Sequence, residues 1–261
     1  MHERHGPCVG QETVRTGERE SSVKDELEKL HSVLDPLMQG KRNLKVLEAG
    51  CGSRTQIRLP PDACIVGVDI SEEQLRKNTG LHEKRVGDIQ TCALGEDDFD
   101  LIICWDVLEH LDRPLDAVSN FFRATREDGA IVLTFPNVMS IKGLVTKFTP
   151  HLFHVLVYRY LRQQKTIGKK GHDSPFRTYM RFGITPDTLK TFAGRHGFET
   201  AFCHSYQGVM QAELRRRNIG IDRLFQVAEP LVKALTLGSV CVNDCDVIVV
   251  LKKGEGSPSE P

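Results

Sequence analysis

The ten residues Leu44-Lys45-Val46-Leu47-Glu48-Ala49-Gly50-Cys51-Gly52-Ser53 constrain this chain more than any other stretch. Leu44, Val46 and Leu47 form a short apolar run that Glu48 and a Gly-Cys-Gly turn end abruptly. A strand feeding a glycine turn lets backbone N–H groups approach a ligand closely, because glycine has no Cβ in the way. Seventeen residues beyond Gly52 a second apolar run, Cys64 to Val68, ends in Asp69. At that spacing a carboxylate on the tip of the next parallel strand can accept hydrogen bonds from a ribose. Thr55 stands where a dinucleotide fingerprint would need its third glycine, which argues against nicotinamide chemistry.

The remaining pattern alternates strands with helices. Ser22-x-x-Asp25 is a helix start, Leu27, Leu30, Leu34 and Leu37 follow at helical spacing, and Gly40 ends the segment. After Asp69, Ser71-x-x-Gln74 opens a further helix. Arg85 to Ile89 reads as a short third strand, and Phe99 to Cys104 as a fourth, continuously apolar as a doubly covered parallel strand is. Asp112-Arg113-Pro114 starts a helix with the stripe Leu115, Val118, Phe122, and Asp128-Gly129 turns into a fifth strand, Ala130 to Phe135. Thr185-Pro186-Asp187 starts another helix, strands at about 199–206 and 246–251 follow, and a helical region fills about 208–236. Such alternation implies an α/β fold with a parallel sheet covered on both faces.

The organisation expected is a disordered leader (1–20), a ligand-binding half (21–137), a basic insert (138–182), the remainder of the domain (183–254) carrying the helical insert 208–236, and a disordered tail (255–261). With 261 residues the chain can bury a sizeable core without disulfide or metal staples. Its 35 Lys and Arg balance 35 Asp and Glu, so no general attraction to nucleic acid exists. The eight cysteines have no zinc-pair spacing and read as reduced thiols of a cytoplasmic protein. No apolar run reaches the ~18 residues of a membrane span.

Glu48, the glycine turn, Asp69 and two further strand-end motifs together closely resemble the class I S-adenosylmethionine-dependent methyltransferases. The resemblance covers about residues 40–137 and 184–252. It implies a doubly wound, mostly parallel sheet of seven strands, the last antiparallel and inserted beside strand five, with a helical cap on the acceptor side. It places Gly50 and Gly52 under the methionine portion of the cofactor and Glu48 at its α-amino group. Asp69 would take both ribose hydroxyls, with Ile70 beside it; a helix N-cap is the alternative and is compatible with that role, but Ser71 already supplies a cap. Asp88 would meet the exocyclic amine of adenine and Ile89 its face, against an ordinary Gly-Asp turn.

Strand four ends in Cys104-Trp105-Asp106-Val107-Leu108-Glu109-His110-Leu111, the edge that the resemblance turns towards sulfonium and acceptor. Trp105 is equally a pocket wall or a core aromatic. Asp106, Glu109 and His110 stand at i, i+3 and i+4 and would share one face if helical. Two carboxylates and an imidazole so placed can hold a divalent ion. A Glu-x-x-Glu-His array does so in ubiquinone-biosynthesis and small-RNA O-methyltransferases, but here Asp106 shortens the first arm. The economical reading is His110 as a general base with no metal. His151, His154, His172 and His204 are further histidines, each more simply a surface or capping residue.

Residues 138–182 hold nine Lys or Arg against one acid, Asp173. An anionic small-molecule acceptor, lipid-linked or sugar-containing, or contact with an anionic membrane surface, would suit that charge. Phe148, Phe153, Tyr158 and Tyr160 also permit base stacking by an RNA methyltransferase, which the neutral whole disfavours. A third alternative is a non-catalytic cofactor-binding protein that kept the fold and lost turnover; the intact Glu48, glycines and Asp69 argue against it, because a dead scaffold has no need of the cofactor carboxylates.

Overall fold

The computed structural model describes residues 25–53, 57–140, 143, 182–208, 211–212, 215–216, 218–237 and 240–254. The expected leader, the Ser22 cap, nearly all of the basic insert and the tail lie outside the described residues. Helix α1 spans residues 25–38, and Gly40 follows it at φ +78°, the left-handed conformation that stops a helix.

Seven strands form one sheet, β1 (Lys45–Ala49), β2 (Cys64–Asp69), β3 (Glu83–Val86), β4 (Phe99–Trp105), β5 (Thr125–Pro136), β6 (Phe198–Tyr206) and β7 (Asp246–Lys253), in the order β3-β2-β1-β4-β5-β7-β6. The pairs among the first five strands are parallel, and β7 runs antiparallel to both β5 and β6. The C-terminal ends of β1 to β6 and the start of β7 therefore share one edge. Every connection leaving that edge is free to carry function.

Alternation along the central strands sorts the core into two layers. Leu47, Ile102, Cys104, Ile131 and Leu133 pack with α3 (Pro114–Ala124) and α4 (Pro186–Arg195) through Val118, Phe121, Leu189 and Ala193. Val46, Leu101, Ile103, Ala130 and Val132 face the other way, onto Leu30 and Leu34 of α1. Each fully buried leucine of that seam stabilises the docking of α1 by about 1.5–3 kcal/mol. Trp105 is partly buried against the layer of the core that also holds Leu30 and Leu34.

Helix α2 (Glu72–Lys77) starts as expected, Ser71 Oγ accepting from the Gln74 N–H at 3.3 Å, and Thr185 caps α4 in the same way. Two strands depart most from the sequence reading. Strand β3 begins two residues earlier and ends at Val86, because its register on β2 (Val66 opposite Glu83, Asp69 opposite Val86) aligns the strand tips. It is a solvated edge strand, so burial left no apolar signal for it. Strand β5 starts at Thr125, and Asp128 (φ +57°) and Gly129 sit in a bulge inside it, where Phe99 pairs with Thr125 but Leu101 with Ala130.

Candidate functional site

The shared edge brings together most residues that the sequence singled out. At its centre the β1 turn holds Gly50 at φ +71° and Gly52 at φ +54°. The two glycines are needed for different reasons. A Cβ on Gly50 would come within 2.5 Å of Val107 Cγ2, whereas a Cβ on Gly52 would meet nothing within 4 Å and would project into open space. The first glycine permits close packing against the β4 connection, and the second leaves room for a ligand.

The N–H groups of this turn do not point outward as a ligand cradle. Those of Gly50 and Cys51 donate to the Val68 carbonyl at 2.7 and 3.3 Å, and that of Gly52 donates to Asp69 Oδ2 at 2.9 Å. Asp69 Oδ1 accepts from Ser71 N–H at 2.8 Å. Asp69 thus latches the glycine turn to the start of α2, while each carboxylate oxygen retains a lone pair for a hydroxyl. The helix cap itself comes from Ser71, so Asp69 is not needed for that purpose.

Glu48 is buried at the end of β1, 3% exposed. Cys51 lies between the acids: burial first, then the nearby Asp69 and Glu48 charges, push its thiol up to about 12. The carboxylate part of that shift, unlike the burial part, marks a locally negative environment around the glycine turn. Ile70 is 73% exposed and Val86 62% exposed, at the adjoining tips of β2 and β3. Exposed apolar side chains beside the Asp69 carboxylate can flank a planar ligand. Val86 was missed in the sequence because Glu83-Lys84-Arg85-Val86 shows no apolar period; its one signal is the lone apolar residue at a strand tip.

The adenine residues need correcting. Ile89 is only 4% exposed and packs in the α3 layer of the core, so it does not offer a face to a ligand. Asp88 receives Gln90 N–H at 2.9 Å and the Gln90 side-chain amide at 3.0 Å on both oxygens. Gln90 in turn accepts from Arg113 N–H at 2.7 Å. Asp88 therefore reaches a ligand only through the acceptor capacity that Gln90 leaves.

Cys104 is fully buried among core side chains, and burial, with Glu109 and Asp106 nearby, holds its thiol well above the usual range. Its thiol packs in the core layer beside α3, so any contact of Cys104 with a ligand at the sheet edge would be through its backbone. Asp106 corrects the expectation of a shared helical face. It lies at φ +53° in the bend after β4, and only Leu108–His110 form a short 3-10 turn. The Asp106 N–H donates to Thr134 Oγ1 at 2.9 Å, and Thr134 Oγ1 donates to Asp106 Oδ1 at 2.9 Å. Glu109 is buried and its Oε1 is 3.8 Å from Nε2 of the half-exposed His110. Among the described residues no group of three or more His, Cys, Asp or Glu side chains is arranged to hold a metal ion.

His204 Nε2 pairs with Glu26 Oε2 of α1 at 3.0 Å. His151, His154 and His172 lie outside the described residues.

A family profile described as a methyltransferase domain matches residues 18–201, most of the chain. The chain belongs to the class I S-adenosylmethionine-dependent methyltransferases. Among curated relatives, a ubiquinone biosynthesis O-methyltransferase of Aromatoleum aromaticum is 26% identical over 176 residues, 63% of this chain and 66% of that protein. An uncharacterized protein of Methanocaldococcus jannaschii is 27% identical over 110 residues, 42% of this chain and 48% of that protein. The matches thus span less than two thirds of the length of these curated relatives. Among solved structures, a Galdieria sulphuraria protein assigned as a sarcosine dimethylglycine methyltransferase superposes with TM-score 0.54 at 15% identity, covering 91% of this chain and 88% of that one. That likeness concerns the fold alone. The residues at the sheet edge fit the cofactor of the family: an open flank at Gly52, a carboxylate at the β2 tip, a buried acid on β1 and an apolar lip.

Proposed function

We propose that the protein transfers a methyl group from S-adenosylmethionine to a hydroxyl of a small anionic acceptor, lipid-linked or sugar-containing, in the cytoplasm or at its membrane surface. The observation that carries the reading is the convergence of Glu48, Gly52, Asp69 and the Asp106–His110 bend on one sheet edge. The 26%-identical ubiquinone biosynthesis O-methyltransferase favours oxygen as the atom methylated.

S-adenosylmethionine, when bound, supplies a methyl group already activated on a sulfonium. The protein has then to align the acceptor and take its proton. Asp69 binds the ribose hydroxyls with a charge-assisted bond, and Glu48 takes the α-amino group, both from strand tips that the sheet holds rigid. His110 removes the acceptor proton. Glu109, 3.8 Å away and buried, stabilises the imidazolium that results. Asp106, fixed by Thr134, shapes the acceptor side of the bend. The nine cations of residues 138–182 supply attraction for an anionic acceptor.

The test is transfer of labelled methyl from S-adenosylmethionine to a lipid extract, an aqueous metabolite extract and total RNA. Label in the lipid or metabolite fraction, in an alkali-stable ether and lost in His110→Ala, is the expected result. Label confined to RNA would overturn the reading.

A further inference from the structure

Helix α5 (Ile219–Leu235) carries an apolar face that stands exposed among the described residues. No residue of it is fully buried, although Phe225, Ala228 and Val232 rest partly against the body. Leu224, Val227, Leu231 and Leu235 recur at three- and four-residue spacing and so form one stripe beside that contact. They are between 58% and 84% exposed, and Leu237, just beyond the helix, is 94% exposed. Among the described residues, most exposed large apolar side chains lie on this one element. Such concentration is a signature of an interaction surface.

Its placement follows from the topology. The chain leaves the sheet at Tyr206 and re-enters at Asp246, which pair with each other and with Pro136 at the edge that bears the site. Just past α5, Cys241 N–H donates to the Met139 carbonyl at 2.9 Å, and Cys241 bridges Ser140. The root of α5 is therefore joined to the root of the segment whose sequence holds nine Lys or Arg and one acid.

The charges of α5 itself are asymmetric. Asp222 accepts from Arg215 at 2.7 Å and from Gln226 at 2.8 Å, and Glu229 accepts from Asn243 at 2.6 Å. Asp222 is thus paired with a cation of the protein and Glu229 is held by a neutral amide, while Arg223 and Lys233 are exposed. An apolar stripe flanked by uncommitted cations complements an anionic lipid surface. A second copy fits less well. A 17-residue helix is ~26 Å long and ~10 Å wide, so the stripe offers roughly 260 Å², against about 800 Å² per partner in a stable interface.

We propose that the Leu224–Leu235 stripe of α5 lies in the interface of an anionic bilayer, holding the catalytic edge against the surface that presents the acceptor. The inference rests on the lipid-linked form of the acceptor above, and the docking face is α5 alone.

Co-flotation of the full chain with vesicles of phosphatidylglycerol and phosphatidylcholine tests it. The wild type should float with anionic vesicles and much less with pure phosphatidylcholine. Leu224→Ser combined with Leu231→Glu should weaken partitioning at least tenfold, with cofactor affinity unchanged by calorimetry. Arg223→Gln with Lys233→Gln, which leaves the apolar stripe intact, should weaken binding about threefold and flatten its dependence on salt. Equal flotation of the leucine variant, or no flotation of the wild type, would overturn the proposal. A wild-type dimer that the leucine variant converts to monomer, without vesicle binding, would assign the face to a second copy and overturn it too. Methyl transfer to a soluble acceptor that survives any of these results leaves the catalytic reading standing, whereas loss of cofactor binding in the wild type would strike that reading and not the docking face.

Discussion

Asp69→Ala separates two roles that the structure combines in one side chain. The carboxylate holds Gly52 N–H at 2.9 Å and Ser71 N–H at 2.8 Å, both at half-buried positions that water can partly re-solvate. Losing the two bonds costs about 1 kcal/mol each, or ~2 kcal/mol of stability. For a chain of this size that lowers the melting temperature by about 4–8 °C. The ribose hydroxyls lose a charged acceptor as well, which costs a further ~1.5–3 kcal/mol in binding, roughly ten- to a hundredfold in affinity. Asp69→Asn is the control: one acceptor oxygen and the shape remain, so the melting temperature should fall by about half as much. Its cofactor affinity should still fall about tenfold, since the amide lacks charge and a second acceptor. Calorimetric titration with S-adenosylhomocysteine, paired with thermal unfolding of the free protein, distinguishes the roles. If Asp69→Ala loses stability yet binds within twofold of wild type, Asp69 is a latch only and the cofactor assignment of β2 is wrong.

Gly50→Ala and Gly52→Ala should diverge: the first meets Val107 and lowers the melting temperature, while the second weakens cofactor binding more than its strain of about 1–2 kcal/mol lowers stability; thermal unfolding and titration of both variants check this. Turnover should withstand EDTA, and His110→Ala should lose about 10²–10⁴-fold in kcat with cofactor affinity intact. Rescue of EDTA-treated enzyme by a divalent ion would refute that. Cys51 keeps its proton in the folded state until about pH 12 but loses it near its ordinary value of 9.0 when unfolded. The folded state then binds more protons than the unfolded one, so stability should fall as pH rises above about 9, and Cys51→Ser should lessen that slope in pH-dependent unfolding. Replacing Lys169, Lys170, Arg177 and Arg181 by Gln should raise the acceptor KM at low salt, leave cofactor affinity alone, and lose its effect as salt rises.

The strands with the strongest signals in the sequence are those whose burial is complete. Leu101 to Cys104 is covered on both faces by α1 and by α3 with α4, so each of these residues had to be apolar, whereas Asp100 near the start of the strand pairs with Arg126. Asp69 and the glycines were equally legible, because backbone conformation and a strand-tip acid restrict residue type whatever the neighbours are. The register of β3 was not legible: an edge strand is fixed by its hydrogen bonds to β2, and any polar side chain satisfies those.

The site was legible in residue type and not in geometry. Asp106, Glu109 and His110 have helical spacing in sequence, yet Thr134, 28 residues away, captures Asp106 and holds it outside the turn. Cys104 and Ile89 adjoin functional positions along the chain, but strand pleat and core packing turn both inward. The amphipathic character of residues 219–235 is written in their spacing. Whether that face would be covered was decided only by tertiary structure, because burial depends on which surfaces the fold brings opposite it. Local chemistry and period are properties of the sequence; who faces whom is a property of the assembled sheet.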